Sequence, residues 1–505
     1  MSSPELLLVR VDAGPAVGIG HAMRCLALAQ GWKDTGGEVL FAMAETLPAL
    51  RKRLDREGIE IEMLREKPGG PEDATRTGAL ARDRDAAWLV ADGYRFDGRF
   101  LRTAKQSGVR LLVLDDYGHA DSPAADIVLN QNLSARADLY AMRSPTTRLL
   151  LGPAYVLLQR NFRSRRPRPR ETPPVARHVL VTLGGVDPHN VTLKALEALK
   201  AAAMPSVVVR VVVGSGNAHG PSLESAARTF PGGVELVRDP PDMAALMEDS
   251  DLAISAGGTT AWELAYLGVP SLLFATADNQ REVAASLERA GAAKDLGWHE
   301  DVTVPDLART IPEVAESRSL RERMASQGRA LVDGQGVPRV RTELKAALIT
   351  MRPVEEGDAR LLWGWANDRT VRSASFNEEP IPWEDHITWF DRKRRDPQCL
   401  FYVALDRGGT PLGQIRFDVQ GEGAEVSVSL DARFRNQGYG GAVILAGSRK
   451  VFATSKVQRL HAYIKERNES STRAFETAGY ASVGRATVRG HEALHLVQGR
   501  GKSSR

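Results

Sequence analysis

Short, nearly continuous aliphatic runs mark the first 120 residues: LLLVRV from Leu6, EVLFAMA from Glu38, AAWLVAD from Ala86 and VRLLVLDD from Val109. Runs without polar alternation suit strands covered on both faces, so a parallel sheet flanked by helices is predicted. The pattern breaks at RSRRPRPRETPP, residues 163–174. Proline fixes φ and removes donors while the arginines repel one another, which predicts an extended linker. A second series follows: HVLVTLGG from His178, VVVRVVVGSG after Ser206, DLAISAGG from Asp251 and VPSLLFA from Val269, closed by a helical tail over residues 317–350. Two such series predict two Rossmann-like domains facing each other across a cleft. From MRPVEEGDARLLWGW at Met351 onward, tryptophans become frequent and strands alternate, as in PLGQIRFDV and AEVSVSL, so a third, separate domain begins. The expected boundaries are 1–162, 175–350 and 351–505.

Composition limits the function classes. A chain of 505 residues exceeds one ordinary core, and 43% hydrophobic with 26% charged residues is a globular balance. Lys plus Arg number 67 against 63 Asp plus Glu, and much of the excess falls in the linker, so nucleic acid is not implied as a partner. Cys25 and Cys399 are far apart without metal-ligand spacing, which fits a reducing compartment and no disulfide. No basic leader precedes a long apolar stretch, so no membrane partner is expected and the protein is read as cytoplasmic. Asp83 and Asp85 sit in the charged stretch ARDRD and read as a solvated loop, so no metal is expected.

Candidate chemistry begins at GIGHAMRC, where Gly18 and Gly20 frame a turn from strand to helix that carries His21 and Arg24. Such a turn lets backbone N–H groups approach a ligand, and the helix start favours negative charge. The same arrangement recurs in SAGGTTAWELAYLGVP, residues 255–270, with Gly257, Gly258 and Thr259 placed to hold a diphosphate and Glu263 one turn further on to accept ribose hydroxyls. Plain glycine turns with a solvated glutamate are the alternative. Asp12, Asp92, Asp115 and Asp116 end or follow strands, where open α/β sheets place ligands and where aspartates also cap helices. Cys25, in an apolar helical pattern, reads as a packed thiol.

These stretches resemble glycosyltransferases of the GT-B type, exemplified by the lipid-II-forming N-acetylglucosaminyltransferase. Closer still is the resemblance to UDP-2,4-diacetamido-2,4,6-trideoxy-β-L-altropyranose hydrolases of pseudaminic acid biosynthesis. It rests on GIGHAMRCLALA, VADGYRFD, LDDYGHADSPAADIVLNQN, LLGPAYVLLQRNF, VTLGGVDPHNVT, SAGGTTAWELAYLGVP and DNQREVA, in order between Asp12 and Ala284. The resemblance implies that water attacks the anomeric carbon and displaces UDP with inversion. His21 would be the general base, since unperturbed imidazole titrates near pH ~6.5. Asp12 would orient His21 or bind a sugar hydroxyl, with a strand-terminal cap as the alternative. Arg24 would face the substrate, as would Asp92, Asp115 and Asp116 unless they cap the following helices, and Asn279 and Gln280 match the family's Asn-Gln pair.

The third block carries its own signature. In AEVSVSLDARFRNQGYGGAVI, Glu425, Ser427 and Ser429 alternate with apolar residues, and a glycine turn follows that suits a pyrophosphate. Arg435, Gly438 and Gly440 fit the turn of the GNAT acetyltransferases, and NESSTRAFETAGY, residues 468–480, extends the resemblance. That family implies an α+β domain, acetyl-CoA as co-substrate, and cofactor contacts from Arg435, Asn436, Gln437, Gly438, Tyr439, Gly440, Gly441 and Asn468, the last with a simple helix cap as its alternative. An amine must reach the thioester unprotonated, so a base is needed; Glu425 is the first candidate and His386 the second. Where many relatives carry a tyrosine acid, this chain has Phe475, and Tyr480 is no obvious substitute.

The predicted fold class is therefore α/β, two Rossmann-like domains of GT-B type followed by an α+β GNAT domain. The two resemblances imply consecutive reactions on a UDP-amino sugar, acetylation of its 4-amino group and then release of UDP. A glycosyltransferase fused to another acetyltransferase, and a nucleotide-sugar sensor without catalysis, remain open at this point.

Overall fold

The computed structural model describes residues 4–14, 17–119, 124–165, 171–204 and 207–501. Residues 166–170 of the linker and 120–123 of the stretch after Asp116 lie outside them. Two units emerge: one of Glu5–Lys33 with Gly37–Val337, and one built mainly on Pro338–Arg505. The division falls inside helix Gly336–Ala346, ahead of the boundary at 350 read from the sequence.

The first unit holds two parallel sheets. The first orders its seven strands Glu60–Met63, Glu38–Met43, Leu6–Val11, Trp88–Asp92, Arg110–Leu114, Ile127–Asn130 and Arg148–Leu151. Leu6–Val11, Trp88–Asp92 and Ile127–Asn130 are buried along their whole length, which is why their sequences lack alternation. Strand order reverses between Leu6–Val11 and Trp88–Asp92, the switch point where such sheets open a crevice. Beside it Arg10, with no exposed surface, pairs through two nitrogens with Asp73 (2.9 and 2.8 Å) and through one with Asp12 (2.8 Å).

The second sheet has six strands in the order Val234–Arg238, Val208–Val213, His178–Thr182, Leu252–Ala256, Ser271–Ala275 and Lys294–Trp298. It reverses in the same way between His178–Thr182 and Leu252–Ala256. Helix Thr259–Leu267 follows the latter strand and is backed by helix Arg318–Leu331. The two come so close that a Cβ on Gly328 would stand 2.8 Å from the carbonyl oxygen of Ala265. Where the linker returns to described residues it is tied down: Arg321 donates to the carbonyls of Pro173 and Pro174 at 2.7 and 2.9 Å.

The C-terminal unit carries a seven-stranded mixed sheet in the order Thr350–Pro353, Cys399–Leu405, Pro411–Gln420, Gly423–Leu430, Arg459–Lys465, His491–Gly499 and Ala481–Val488. Helices Tyr439–Thr454 and Glu469–Thr477 cover one face, over Ile415, Phe417 and Leu460. Helices Ala359–Ala366 and Trp383–Arg395 cover the strand Cys399–Leu405 on the other, with Trp365, Phe390 and Phe401 in that smaller core. Gly423–Leu430 and Arg459–Lys465 run parallel and register at three positions, from Gly423 with Arg459 to Glu425 with His461. Both strands continue past that point, so the sheet forks there.

Filling the Gly328 contact should loosen the support behind helix Thr259–Leu267. Gly328→Val is expected to lower unfolding free energy by about 1–3 kcal/mol, and Gly328→Ala by less, in denaturant titrations.

Candidate active sites

The crevices of the two sheets in the first unit open into one cleft of about 1840 Å³. Its lips come together at the two glycine turns, where a Cβ on Gly20 would lie 3.7 Å from Thr259 Oγ1. Gly18 has a φ of +74°, a conformation that glycine adopts without strain, and it lets the chain turn straight into helix Gly20–Lys33. That helix carries His21 and Arg24 on one side, over the ends of the central strands.

His21 Nδ1 stands 2.6 Å from Asp92 Oδ1. At that distance the ring donates its Nδ1 proton to the carboxylate, which leaves Nε2 as the acceptor, and His21 lines the cleft. Arg24 donates to both oxygens of Asp92, at 2.7 Å each, and to Asp116 Oδ1 at 2.7 Å. Burial alone would raise the Asp92 carboxyl, but the Arg24 charge, with the hydrogen bonds from Arg24 and His21, outweighs it and holds it well below the usual carboxylate range. Asp116 follows the same balance, lowered by Arg24 against its burial. It also accepts from the Tyr94 hydroxyl at 2.6 Å. Tyr94 in turn sets its ring edge-on to His21, with centroids 4.8 Å apart.

Two expected roles are corrected here. Asp12 does not orient His21: its Oδ1 is held by Arg10 at 2.8 Å and by the backbone N–H of Ala44 at 2.7 Å, and Asp92 takes the orienting position instead. Its other oxygen, Oδ2, is buried without a hydrogen-bond partner among the described residues. Asp115 accepts from the backbone N–H groups of Tyr117 (2.8 Å) and Gly118 (2.6 Å) and faces His119 at 3.3 Å. Its carboxylate builds the turn, and its neighbour Asp116 is the one on the cleft wall.

Opposite, helix Thr259–Leu267 starts after Gly258 with no side chain capping it, which leaves its first N–H groups to a ligand. Gly257 is required by space, since a Cβ there would lie 2.9 Å from the carbonyl oxygen of Gln280. Gln280 Oε1 is bound by Thr276 through its backbone N–H (3.0 Å) and hydroxyl (2.9 Å), so the free end of the amide is Nε2, and both Asn279 and Gln280 line the cleft. Glu263 also lines it and accepts no hydrogen bond among the described residues. Burial raises its carboxyl to about 7, with the nearby Arg53 pulling the other way. Cys25 is buried with its thiol directed at Asp92, the packed position expected of it.

Tyr94 and Arg53 were not singled out from the sequence. Tyr94 lies inside the stretch VADGYRFD that carried the resemblance, whereas Arg53, which donates to Gln159 at 2.5 Å, stands on an ordinary-looking charged helix, Pro48–Arg56.

In the C-terminal unit, Asn436 and Gly438 take left-handed backbone conformations (φ +60° and +76°) and wrap the chain into the start of helix Tyr439–Thr454. Several side chains around this turn are engaged within the domain, while that of Asn436 is exposed. Arg435 pairs with Asp368 at 2.8 Å and donates to the Leu430 carbonyl at 2.9 Å, Gln437 donates to the Arg433 carbonyl at 2.7 Å, and Tyr439 is buried. Backbone N–H groups from Gly438 to Gly441 are therefore what the turn offers an anion, and the Arg435 and Tyr439 side chains do not face one. Asn468 takes the simple alternative, capping helix Glu469–Thr477 by accepting from Ser471 N at 3.2 Å. His386 is corrected too: it is buried, its Nε2 is 3.0 Å from the Ala359 carbonyl, and its ring stacks among Trp383 and Phe390. Glu425 is exposed, at the last paired position before the fork. Among the described residues no cluster of His, Cys, Asp or Glu is arranged to hold a metal, and no helix is long and apolar enough to cross a membrane.

Both domains match known families. Residues 179–335 match the glycosyltransferase family 28 C-terminal domain, and residues 349–481 match the acetyltransferase (GNAT) domain. The chain is thus a two-domain glycosyltransferase-like α/β unit joined to a GNAT domain. It is 33% identical over 334 residues to the spore coat polysaccharide biosynthesis protein SpsG of Bacillus subtilis, covering 65% of this chain and 94% of that one. It belongs to the SpsG family. An uncharacterized protein of Methanocaldococcus jannaschii is 20% identical over 487 residues, 94% of this chain and 96% of its own. Among solved structures, MurG of Acinetobacter baumannii covers 67% of this chain and 98% of its own at 17% identity, with a TM-score of 0.47.

Glu263 yields a sign test. Burial pushes its folded carboxyl up to about 7 from an ordinary 4.5, so its neutral form favours folding below pH 4.5 and that contribution is lost as pH rises through 7. Glu263→Gln is expected to stabilise the unit at pH 8 by up to roughly 3 kcal/mol and to change little at pH 4.5, read from thermal or denaturant unfolding at the two pH values.

Proposed function

We propose that this protein carries out two successive steps on a UDP-linked amino sugar. The GNAT domain transfers acetyl from acetyl-CoA to the 4-amino group of UDP-4-amino-4,6-dideoxy-N-acetyl-β-L-altrosamine. The cleft then hydrolyses the UDP-2,4-diacetamido-2,4,6-trideoxy-β-L-altropyranose so formed to UDP and free sugar. The observation that carries this reading is the His21–Asp92 pair on a cleft that also holds the uncapped start of helix Thr259–Leu267.

The chemistry follows from that pair. With Nδ1–H committed to Asp92, His21 Nε2 takes a proton from a water as its oxygen attacks the anomeric carbon from the face opposite the leaving group. The C1–O bond breaks and its electron pair passes to the diphosphate. The N–H groups at the start of helix Thr259–Leu267 and their dipole stabilise the departing charge, so the leaving oxygen needs no acid. Glu263, which accepts no hydrogen bond among the described residues, suits ribose hydroxyls, and the Tyr94 ring suits the sugar. Asp92 keeps the imidazole oriented and stabilises it once protonated. In the other domain, the Gly438–Gly441 turn would bind the pyrophosphate of acetyl-CoA through backbone donors.

Glycosyl transfer to a sugar or lipid acceptor is the second reading, favoured by the match to a glycosyltransferase family 28 domain. Purified protein incubated with the UDP-4-amino sugar, with and without acetyl-CoA, separates the two by mass spectrometry. Acetylated UDP-sugar and then UDP are expected with no further acceptor present. UDP release that depends strictly on an added sugar or lipid would overturn hydrolysis. His21→Ala should slow UDP release by about 10²–10⁴-fold and let the acetylated nucleotide sugar accumulate, whereas Gly440→Trp should block acetylation and leave hydrolysis of preformed diacetamido substrate intact.

A further inference from the structure

The face of the acetyltransferase sheet turned away from helices Tyr439–Thr454 and Glu469–Thr477 carries a polar row at the fork. The alternation that buries Ala424, Leu460, Ala462 and Ile464 turns Glu425, His461 and Tyr463 to that face. Glu425 and His461 are register partners, and Tyr463 is the register partner of His495 on the next strand. His461 Nδ1 lies 3.0 Å from His495 Nε2 with the rings stacked at 5.3 Å, and Tyr463 stacks on His495 at 4.6 Å. Further along the row Lys465 is held by Glu378 at 2.6 Å, which closes that end with the segment 373–378.

Two features separate this row from an ordinary polar sheet face. The first is its position: beyond Glu425 and His461 the parallel strands part, and the strand that leaves the fork runs directly to the glycine turn of residues 435–441. A carrier anchored at that turn and lying along the unpaired edge of Gly423–Leu430 brings its thioester toward the fork. The second is the imidazole pair itself. Two ring nitrogens 3.0 Å apart share one proton, one donating and the other accepting. If His461 Nδ1 donates, its Nε2 holds a free lone pair and His495 carries a proton on Nδ1, so the pair accepts a proton at one end and releases one at the other. The opposite tautomer relays in reverse.

We propose that the His461–His495 pair takes the proton of the amine that the GNAT domain acetylates, with Glu425 attracting the ammonium form at this fork. The inference rests on the acetyl transfer proposed above. Burial first, and then the facing His495 and Arg459, hold the His461 imidazole below its ordinary range, so it is neutral and able to accept. The charged and titratable groups around it are Glu425, with Asp418 across from it on the next strand, Arg459 and Tyr463 on its own strand, and His495. One proton of the ammonium passes to the pair and on to solvent. The neutral nitrogen then attacks the acetyl carbonyl carbon, the C–N bond forms, the C–S bond breaks with its electron pair going to sulfur, and a second nitrogen proton passes to the departing thiolate.

The test follows thiol release from acetyl-CoA by the full chain, with UDP-4-amino-4,6-dideoxy-N-acetyl-β-L-altrosamine as the amine, between pH 6.5 and 9.5. His461→Asn and His495→Gln should each lower turnover roughly 10²-fold at pH 7, and the loss should shrink below about tenfold at pH 9.5, where the amine arrives unprotonated. Glu425→Gln should raise the KM for the amine about tenfold with a smaller change in kcat. Acetyl-CoA affinity, measured by calorimetry, should stay within about twofold of the parent in all three. A deficit equal at every pH, an unchanged rate, or a loss of acetyl-CoA binding in step with activity would overturn the proton-transfer role. No thiol release by the parent protein would instead remove the acetyl-transfer reading, and this inference with it.

Discussion

The cleft depends on one buried guanidinium. Arg24 lies between Asp92 and Asp116, and all three are nearly inaccessible to water. Two carboxylates in so dry a place repel each other and favour protonation; with Arg24 between them both stay ionised, and each accepts a further donor, His21 on one side and Tyr94 on the other. The network joins the helix after the first strand to the ends of two others, so the imidazole's position is set by the sheet rather than by a loop. It also explains why Asp92, at the switch point, outcompetes Asp12 for His21. Asp12 is drawn the other way by Arg10, which is itself locked to Asp73.

The other half of the cleft works by the opposite economy of charge. It presents helix N–H groups and amides where the first half presents ionised pairs, and beside them burial pushes the Glu263 carboxyl up to about 7. An anionic ligand there would meet oriented dipoles, with the Arg53 guanidinium near Glu263 on the same cleft. Gly257 and Gly328 share in this from different distances. The first leaves room at the start of the helix and the second lets another helix press close behind it, so the dipole is aimed from a rigid base.

Much of the fold was legible because parallel strands buried on both faces leave an aliphatic signature, and the runs at Leu6, Ala86, Asp251 and Val269 all became central strands. Glu60–Met63 and Val234–Arg238, both at sheet edges and half-exposed, carry no such run and went unmarked. In the cleft, residue types at strand ends were readable, but partner choice was not. Whether Asp12, Asp92 or Asp115 meets His21 depends on where Arg10, Arg24 and two backbone N–H groups fall in three dimensions. The same holds in the C-terminal unit, where Arg435 fits the motif and yet pairs with Asp368. The His461–His495 contact joins residues 34 apart on antiparallel strands and has no local pattern at all.

The acetyltransferase chemistry turns on what the domain lacks near the sulfur. Phe475 is packed in the core, and Tyr480, though a phenol, is buried with its hydroxyl 2.9 Å from Ser448 Oγ and its ionisation pushed upward by that burial. Neither has access to a leaving thiolate. A protein acid is dispensable if the nitrogen under acylation carries a spare proton, because its acidity rises steeply as the carbon–nitrogen bond forms and the thiolate is the nearest base. The demand on the protein then falls on the earlier proton, the one that keeps the amine from attacking at all. On the acetyl transfer proposed above, the burden of acid–base chemistry would fall on the open sheet face rather than on the helix that Asn468 caps.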